Sequence, residues 1–201
     1  MDTRPKAFRF VILIPHRDSL KPFSEYRSKL FSIGICGSYA FPAAAPLAAL
    51  SRPFSREELK ELARNIRSLA KESSGKILSA EPAIVACPNG FPASFFGPLL
   101  SIPAEEGIFP KTAKHKILYP LLPPVLCAAL VGPNENPISE EAPVLSFRAA
   151  YLANLAIRPL AGANYSYEWK IGPPVWGIGI RDRGSGIRES GSKAMQISKT
   201  L

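Results

Sequence analysis

Residues 7–15 read AFRFVILIP, and this stretch decides the fold. The run from Val11 to Ile14 is apolar, rich in β-branched residues and stopped by Pro15, which predicts a strand rather than a helix. Its apolarity does not alternate, so a strand covered on both faces, and hence central in a sheet, is expected. Leu20, Phe23, Tyr26, Leu30 and Phe31 then recur at helical spacing and predict a helix over roughly 19–32, ended by Gly34 and Gly37.

Residues 39–52, YAFPAAAPLAALSR, are apolar and extended, and Pro42 and Pro46 suit an edge or a bulged strand. Ser55 and Glu58 form an S-x-x-E capping box that opens the clearest helix of the chain. Leu59, Leu62, Ala63, Ile66, Leu69 and Ala70 make its apolar face. Lys76–Pro88 reads as a strand, Asn89-Gly90 as a turn and Phe91–Leu100 as its hairpin partner. Residues 101–116 read as a loop, Val125–Val131 as a buried strand and Pro133–Pro143 as a solvated acidic loop. Val144–Pro159 reads as a strand, and Tyr165–Ile171 as the last one, with Trp176 just beyond it. The expected class is α/β in the broad sense, α+β in detail: antiparallel-rich sheets with helices outside. The expected organisation is one domain over 1–176, followed by a basic disordered tail rich in Gly, Ser and Arg over 177–201.

The chain has 201 residues, of which 46% are hydrophobic and 20% charged, so it has material for a core. Proline, at 21 residues, is about twice its usual ~5% share and leaves room for few long helices. Cys36, Cys87 and Cys127 are odd in number and form no C-x-x-C, which excludes a disulfide scaffold. With two histidines far apart, a zinc site lacks ligands, and no metal or cofactor is expected. The run Phe10–Ile14 is too short for a signal-peptide core. Ile117–Gly132, the longest apolar stretch, is broken by three prolines and falls short of a membrane span. A soluble cytoplasmic protein is the expectation. The net charge of +9 is concentrated in residues 1–32, 52–76 and 181–201. Such a surface suits a phosphate-bearing partner, while its dispersion argues against a dedicated DNA-binding arm.

Residues 41–54, FPAAAPLAALSRPF, are echoed by residues 147–160, FRAAYLANLAIRPL. Both begin with Phe, pass through Ala-Ala and Leu-Ala, and reach Arg-Pro, which suggests a pseudo-symmetric fold of two lobes. With the opening FVILIP, the helix after it and the S-R-P-F-S-R-E-E-L helix start, these segments resemble the two-histidine phosphoesterases, the 2′,5′ RNA ligase-like superfamily. That resemblance implies two lobes, a concave cleft between them and an H-x-T/S motif on one strand of each lobe. The sequence departs from the motif in both places. Ala45 to Leu47 occupy the expected positions of the first motif, and Ala150 and Leu152 those of the second. Alanine and leucine supply no general acid or base and no hydroxyl for a phosphate oxygen. No catalytic residue carries over, and the resemblance implies a degenerate member that keeps a cleft without its chemistry.

The remaining candidates are cations. Arg52, Arg148 and Arg158 flank the echoed segments, and arginine forks match phosphate oxygens. His16, in P-H-R-D, follows the first strand, where α/β sites form, although a plain helix-start residue is the alternative. His115 stands among Lys111, Lys114 and Lys116, as a phosphate contact or in a solvated basic loop. Lys60, Arg64, Arg67 and Lys71 make a helical stripe, either a nucleic-acid groove or a solvated face paired with Glu57, Glu61 and Glu72. Tyr165, Tyr167, Trp169 and Trp176 either stack bases or complete a core. No P-loop, G-x-G-x-x-G, G-x-S-x-G or H-E-x-x-H occurs. The expected function is binding of a nucleotide or RNA end without catalysis. The alternatives are a phosphodiesterase rebuilt around His16 or His115, and a protein-interaction module with no small ligand.

Overall fold

The computed structural model describes residues 7–72, 77–87, 90–102, 107–132, 135, 142–147, 149–160, 166–174 and 176–179. Strand β1 (Phe8–Pro15) leads through His16 into helix α1 (Arg17–Ser32) and a 3-10 turn at Cys36–Tyr39. Strand β2 (Ala45–Leu50) and helix α2 (Arg56–Glu72) follow, then the hairpin of β3 (Ile77–Ala86) and β4 (Ser94–Leu100). A second 3-10 turn, Lys111–Lys116, precedes β5 (Ile117–Pro120). The chain then runs through β6 (Ala129–Val131), β7 (Ser146–Phe147), β8 (Ala149–Pro159), β9 (Tyr167–Ile171) and β10 (Trp176–Gly179).

The strands form two antiparallel sheets, so the α+β class is as the sequence predicts. The larger has the order β10-β8-β1-β2-β5, with β9 also on β8; the smaller has the order β6-β4-β3-β7. β1 is central, as its unbroken apolarity requires, and its two faces enter different clusters. Phe10 and Ile12 pack with Phe41, Phe95, Leu130 and Leu155, joining the two sheets through a T-shaped Phe10–Phe95 contact of 5.6 Å. Val11 and Leu13 pack with Phe23, Tyr26 and Leu30 of α1 and Leu59, Leu62 and Ile66 of α2. Burial of these aliphatic and aromatic side chains, about 1.5–3 kcal/mol each, is the main force holding the layers together.

The echoed segments are equivalent in space. β2 and β8 lie on either side of β1, both antiparallel to it. Phe10 faces Ala49 on one side and Leu155 on the other; Val11 faces Ala48 and Asn154. These partners keep the spacing of the sequence echo until a bulge in β2 at Val11/Ile12. The echo therefore takes the form of two strands sharing one central partner. Ala45, Leu47, Ala150 and Leu152, at the motif positions, are all fully buried in the core beside α1 and α2, not set across a cleft.

Some expectations need correction. Of the two readings of the proline-broken segment the bulged strand holds: β5 pairs with the outer side of β2, and Pro46 is accommodated by the bulge. β5 itself lies inside an apolar, proline-broken stretch whose periodicity gave no strand signal. Of Val125–Val131, only Ala129–Val131 is a strand, with a single bridge from Val125 to Leu99. The boundary expected after Trp176 falls inside β10, whose residues pair with β8 from Leu152 to Ala149. The rest of the expected tail, 180–201, and most of the acidic loop lie outside the described residues. Among those described, no helix is long and apolar enough to cross a membrane.

The capping box is formed as predicted. Ser55 N donates to the Glu58 carboxylate at 2.5 Å, and Glu58 N donates to Ser55 Oγ at 3.2 Å. Lys116 adds an ion pair to Glu58 at 2.8 Å, tying the second 3-10 turn to the start of α2. Burial opposes the Glu58 charge, but the bonds from Lys116 and Ser55 outweigh it and hold the carboxyl below its ordinary value. A depressed carboxyl stabilises the fold above its unfolded value, about 4.3, and that contribution fades as pH falls through the lower folded value. Glu58→Gln is therefore expected to lower the Tm at neutral pH, with the gap to the parent closing in acid. Melts at a series of pH values check this, and a gap that widens in acid refutes it.

Candidate phosphate-binding groove

The start of α2 is positioned by the large sheet. Asn154 of β8 clamps Phe54, just before the helix: its Oδ1 accepts from Phe54 N at 3.2 Å and its Nδ2 donates to Phe54 O at 2.8 Å. The amide thus acts as one more rung of a ladder and fixes where α2 begins above the sheet. From there α2 runs back against β10. At 100° per residue, Arg56, Lys60, Arg64, Arg67 and Lys71 fall within an arc of about 80°. Glu58 and Asn65 fall together on the far flank, while Glu57 and Glu61 lie between, beside Arg64. That flank is anchored by Glu58 to Lys116 and by Asn65 Nδ2 to Ile108 O at 2.9 Å. The basic arc therefore faces the other way, toward β8 and its outer strands. Arg56, Lys60 and Arg64 are exposed and Arg67 is half-buried; the Lys71 side chain lies outside the described residues.

The outer edge of β8 is shared by two strands. β9 pairs with Leu155–Pro159 and β10 with Ala149–Leu152. At the break Gly172 N donates to Asn154 O at 2.7 Å. A hollow of about 400 Å³ opens there, lined by Phe54, Arg56, Leu59, Asn154 and Gly172–Pro174. It is the floor of a short groove between the start of α2 and the link Gly172–Pro174 from β9 to β10.

One end of this groove is strongly basic. Arg9 lies opposite Leu50 and Ala156, and Ala156 lies opposite Lys170. Directly opposed residues share a face, here the α2 face that also carries Val11 and Asn154. Arg9 and Lys170 are both exposed. Arg158, on the next outward position of β8, forms an ion pair with Glu168, which offsets its charge. Arg52, also exposed, follows Leu50 at the same end, and Arg56 begins α2 beside it.

The register places Arg52, Arg158 and His115 toward the same end of the large sheet, His115 two residues ahead of Ile117, the partner of Leu50. His16 stands at the opposite end of β1, where its backbone N–H donates to Ala149 O and its ring lies 6.4 Å from that of Tyr151. From Arg9 to His16 is seven strand residues, roughly 23 Å, so the two histidines do not meet at one phosphate. Arg148 lies outside the described residues. Sequence reasoning missed Arg9, Arg56 and Lys170; the only signal was a charge interrupting each strand pattern, in F-R-F and W-K-I. Tyr167 stacks on Phe91 at 5.7 Å, and Trp169 packs against the inter-sheet core, so these aromatics complete the core. Among the described residues no cluster of His, Cys, Asp or Glu could hold a metal ion. Comparison with family models, curated proteins and solved structures gave no match to this chain.

Chemically the arrangement is a cation cluster at the end of a groove. Its guanidinium groups can form charge-assisted hydrogen bonds with phosphate oxygens. Cys127, the nearest thing to a buried nucleophile, is fully enclosed, and burial pushes its thiol up to about 12, so it stays protonated at neutral pH.

Proposed function

We propose that this chain binds a phosphate-bearing ligand, a nucleotide or an RNA end, at the basic end of the groove and does not turn it over. The observation that carries this is the cross-strand row of Arg9, Ala156 and Lys170, which sets two cations on one face of the sheet. Alanine and leucine at the motif positions support a degenerate relative of the two-histidine phosphoesterases, with binding moved to the sheet end. A cytoplasmic setting goes with this reading.

Arg9→Ser combined with Lys170→Ser is expected to weaken binding of a labelled mononucleotide at least tenfold. It should also flatten the dependence of affinity on salt, by about one unit of slope for each phosphate charge that is no longer neutralised. Fluorescence polarisation at three salt concentrations tests both. Equal affinity and equal slope in parent and variant would remove the proposal.

A further inference from the structure

We infer that the ligand of the sheet end is a nucleoside monophosphate, free or at the end of a strand, whose base seats in the hollow at the start of α2. The inference rests on the binding reading above and names the part of the ligand that is not phosphate. Two hollows lie on adjacent rows of one sheet face. The larger, about 400 Å³, stands at the row of Val11, Asn154 and Gly172. The smaller, about 170 Å³, stands at the row of Arg9, Ala156 and Lys170, and both Ala156 and Lys170 line it. Glu168 lines it too, with its charge met by Arg158. Two strand residues separate the rows, a step of about 7 Å. The base and the phosphate of a mononucleotide stand a comparable length apart.

The chemistry of the larger hollow selects a base. Phe54, Leu59, Pro173 and Pro174 give it apolar walls, against which a sugar would leave its hydroxyls unmatched. Its volume falls within the ~300–1,000 Å³ of small-molecule sites. Asn154 adds a polar group. Having clamped Phe54, its amide has a second N–H and a second carbonyl lone pair, a donor and an acceptor that the edge of a base can match. Arg56, exposed at the rim, supplies a guanidinium plane for stacking. Gly172 keeps the space open. Within 4 Å a Cβ there would meet Asn154 alone, its O at 3.4 Å and its Cβ at 3.9 Å, so a side chain at 172 would stand beside that of Asn154 and fill the hollow.

Calorimetric titration of the full chain compares adenosine monophosphate, ribose 5-phosphate and inorganic phosphate. Adenosine monophosphate is expected to bind at least about tenfold more tightly than ribose 5-phosphate, the gain from one stacked base. Gly172→Leu is expected to abolish that gain and to leave the ribose 5-phosphate affinity unchanged. Arg56→Gln, a surface change, should reduce the gain several-fold with the same selectivity. An unchanged Tm verifies that each variant is folded, and the comparison of ligands on the parent needs no variant. A dinucleotide with a 5′ phosphate separates the sources: tighter binding than the monophosphate marks a strand end, equal or weaker binding a free nucleotide. The inference is overturned if the parent binds ribose 5-phosphate as tightly as adenosine monophosphate, or if folded Gly172→Leu keeps the gain. Failure of the sheet-end reading would look different: none of the three ligands would bind the parent, or Arg9→Ser with Lys170→Ser would leave the ribose 5-phosphate affinity untouched.

Discussion

Replacing Arg27 by methionine is expected to cost about 3–5 kcal/mol of unfolding free energy. Arg27 sits on α1 with 6% of its surface exposed. Its Nε donates to Ser38 O at 2.5 Å and its Nη2 to Phe41 O at 2.7 Å. The guanidinium carbon lies 4.8 Å from the centre of the Tyr39 ring. Burial pulls the Arg27 pKa down, yet two carbonyl dipoles and a ring face still support the cation. Methionine fills much of the volume but leaves both carbonyls without their donor in an apolar surrounding, which is the costly half of the change. Lysine keeps the charge and satisfies one carbonyl at best, so Arg27→Lys should fall between parent and methionine. Urea unfolding of the three proteins measures this. A loss below about 1 kcal/mol for methionine would show the bonds to be incidental.

Arg27 also shows where sequence reading stops. On the sequence it is one more basic residue of an amphipathic helix, and nothing local marks it as buried. Its role appears only when residues 38–41 fold back over α1. The elements that were legible were those specified locally: β1 by its apolar run, α2 by its capping box, and the β3–β4 hairpin by Asn89-Gly90. β5 and β10 were not legible, because each is short and owes its extended form to a partner, β2 and β8 respectively.

The candidate site divides in the same way. Arg52 and Arg158 were reachable from the sequence because they flank the echoed segments. Arg9 and Lys170 were not, since 161 positions separate them and only the β1–β8–β9 register sets them in one row. The basic stripe on α2 was visible, but which neighbouring strands it lies toward depended on which flank is tied down. Glu58 and Asn65 tie down the acidic flank, and that gives the direction of the basic one. The echo gives the same lesson in reverse. It is present in the sequence, and the structure gives it meaning by placing both copies against β1, yet it puts the motif positions in the core. Similar strands thus arrived without the cleft that the resemblance implied.

Gly37→Ala should be among the most damaging single substitutions in the protein, costing about 3 kcal/mol, at the upper end of the range for overpacked sites. Gly37 lies in the 3-10 turn Cys36–Tyr39, pressed against β6. A Cβ there would stand 1.8 Å from Leu130 O and 2.8 Å from Leu130 C. Neither side can yield easily. Leu130 is held in the small sheet opposite Phe95, and the next residue of the turn, Ser38, gives its carbonyl to Arg27. A methyl group against backbone cannot be relieved by a change of rotamer, so a whole strand or the turn must move. Gly34 is the control within the same connection. Its φ of +96° suits glycine, but a Cβ there meets nothing within 4 Å. Gly34→Ala should therefore cost only the backbone strain of a left-handed residue, about 1–2 kcal/mol. Chemical denaturation of both variants separates the two effects. If Gly37→Ala is no less stable than Gly34→Ala, the close approach of the turn to β6 is wrong, and with it the packing that holds Arg27 in place.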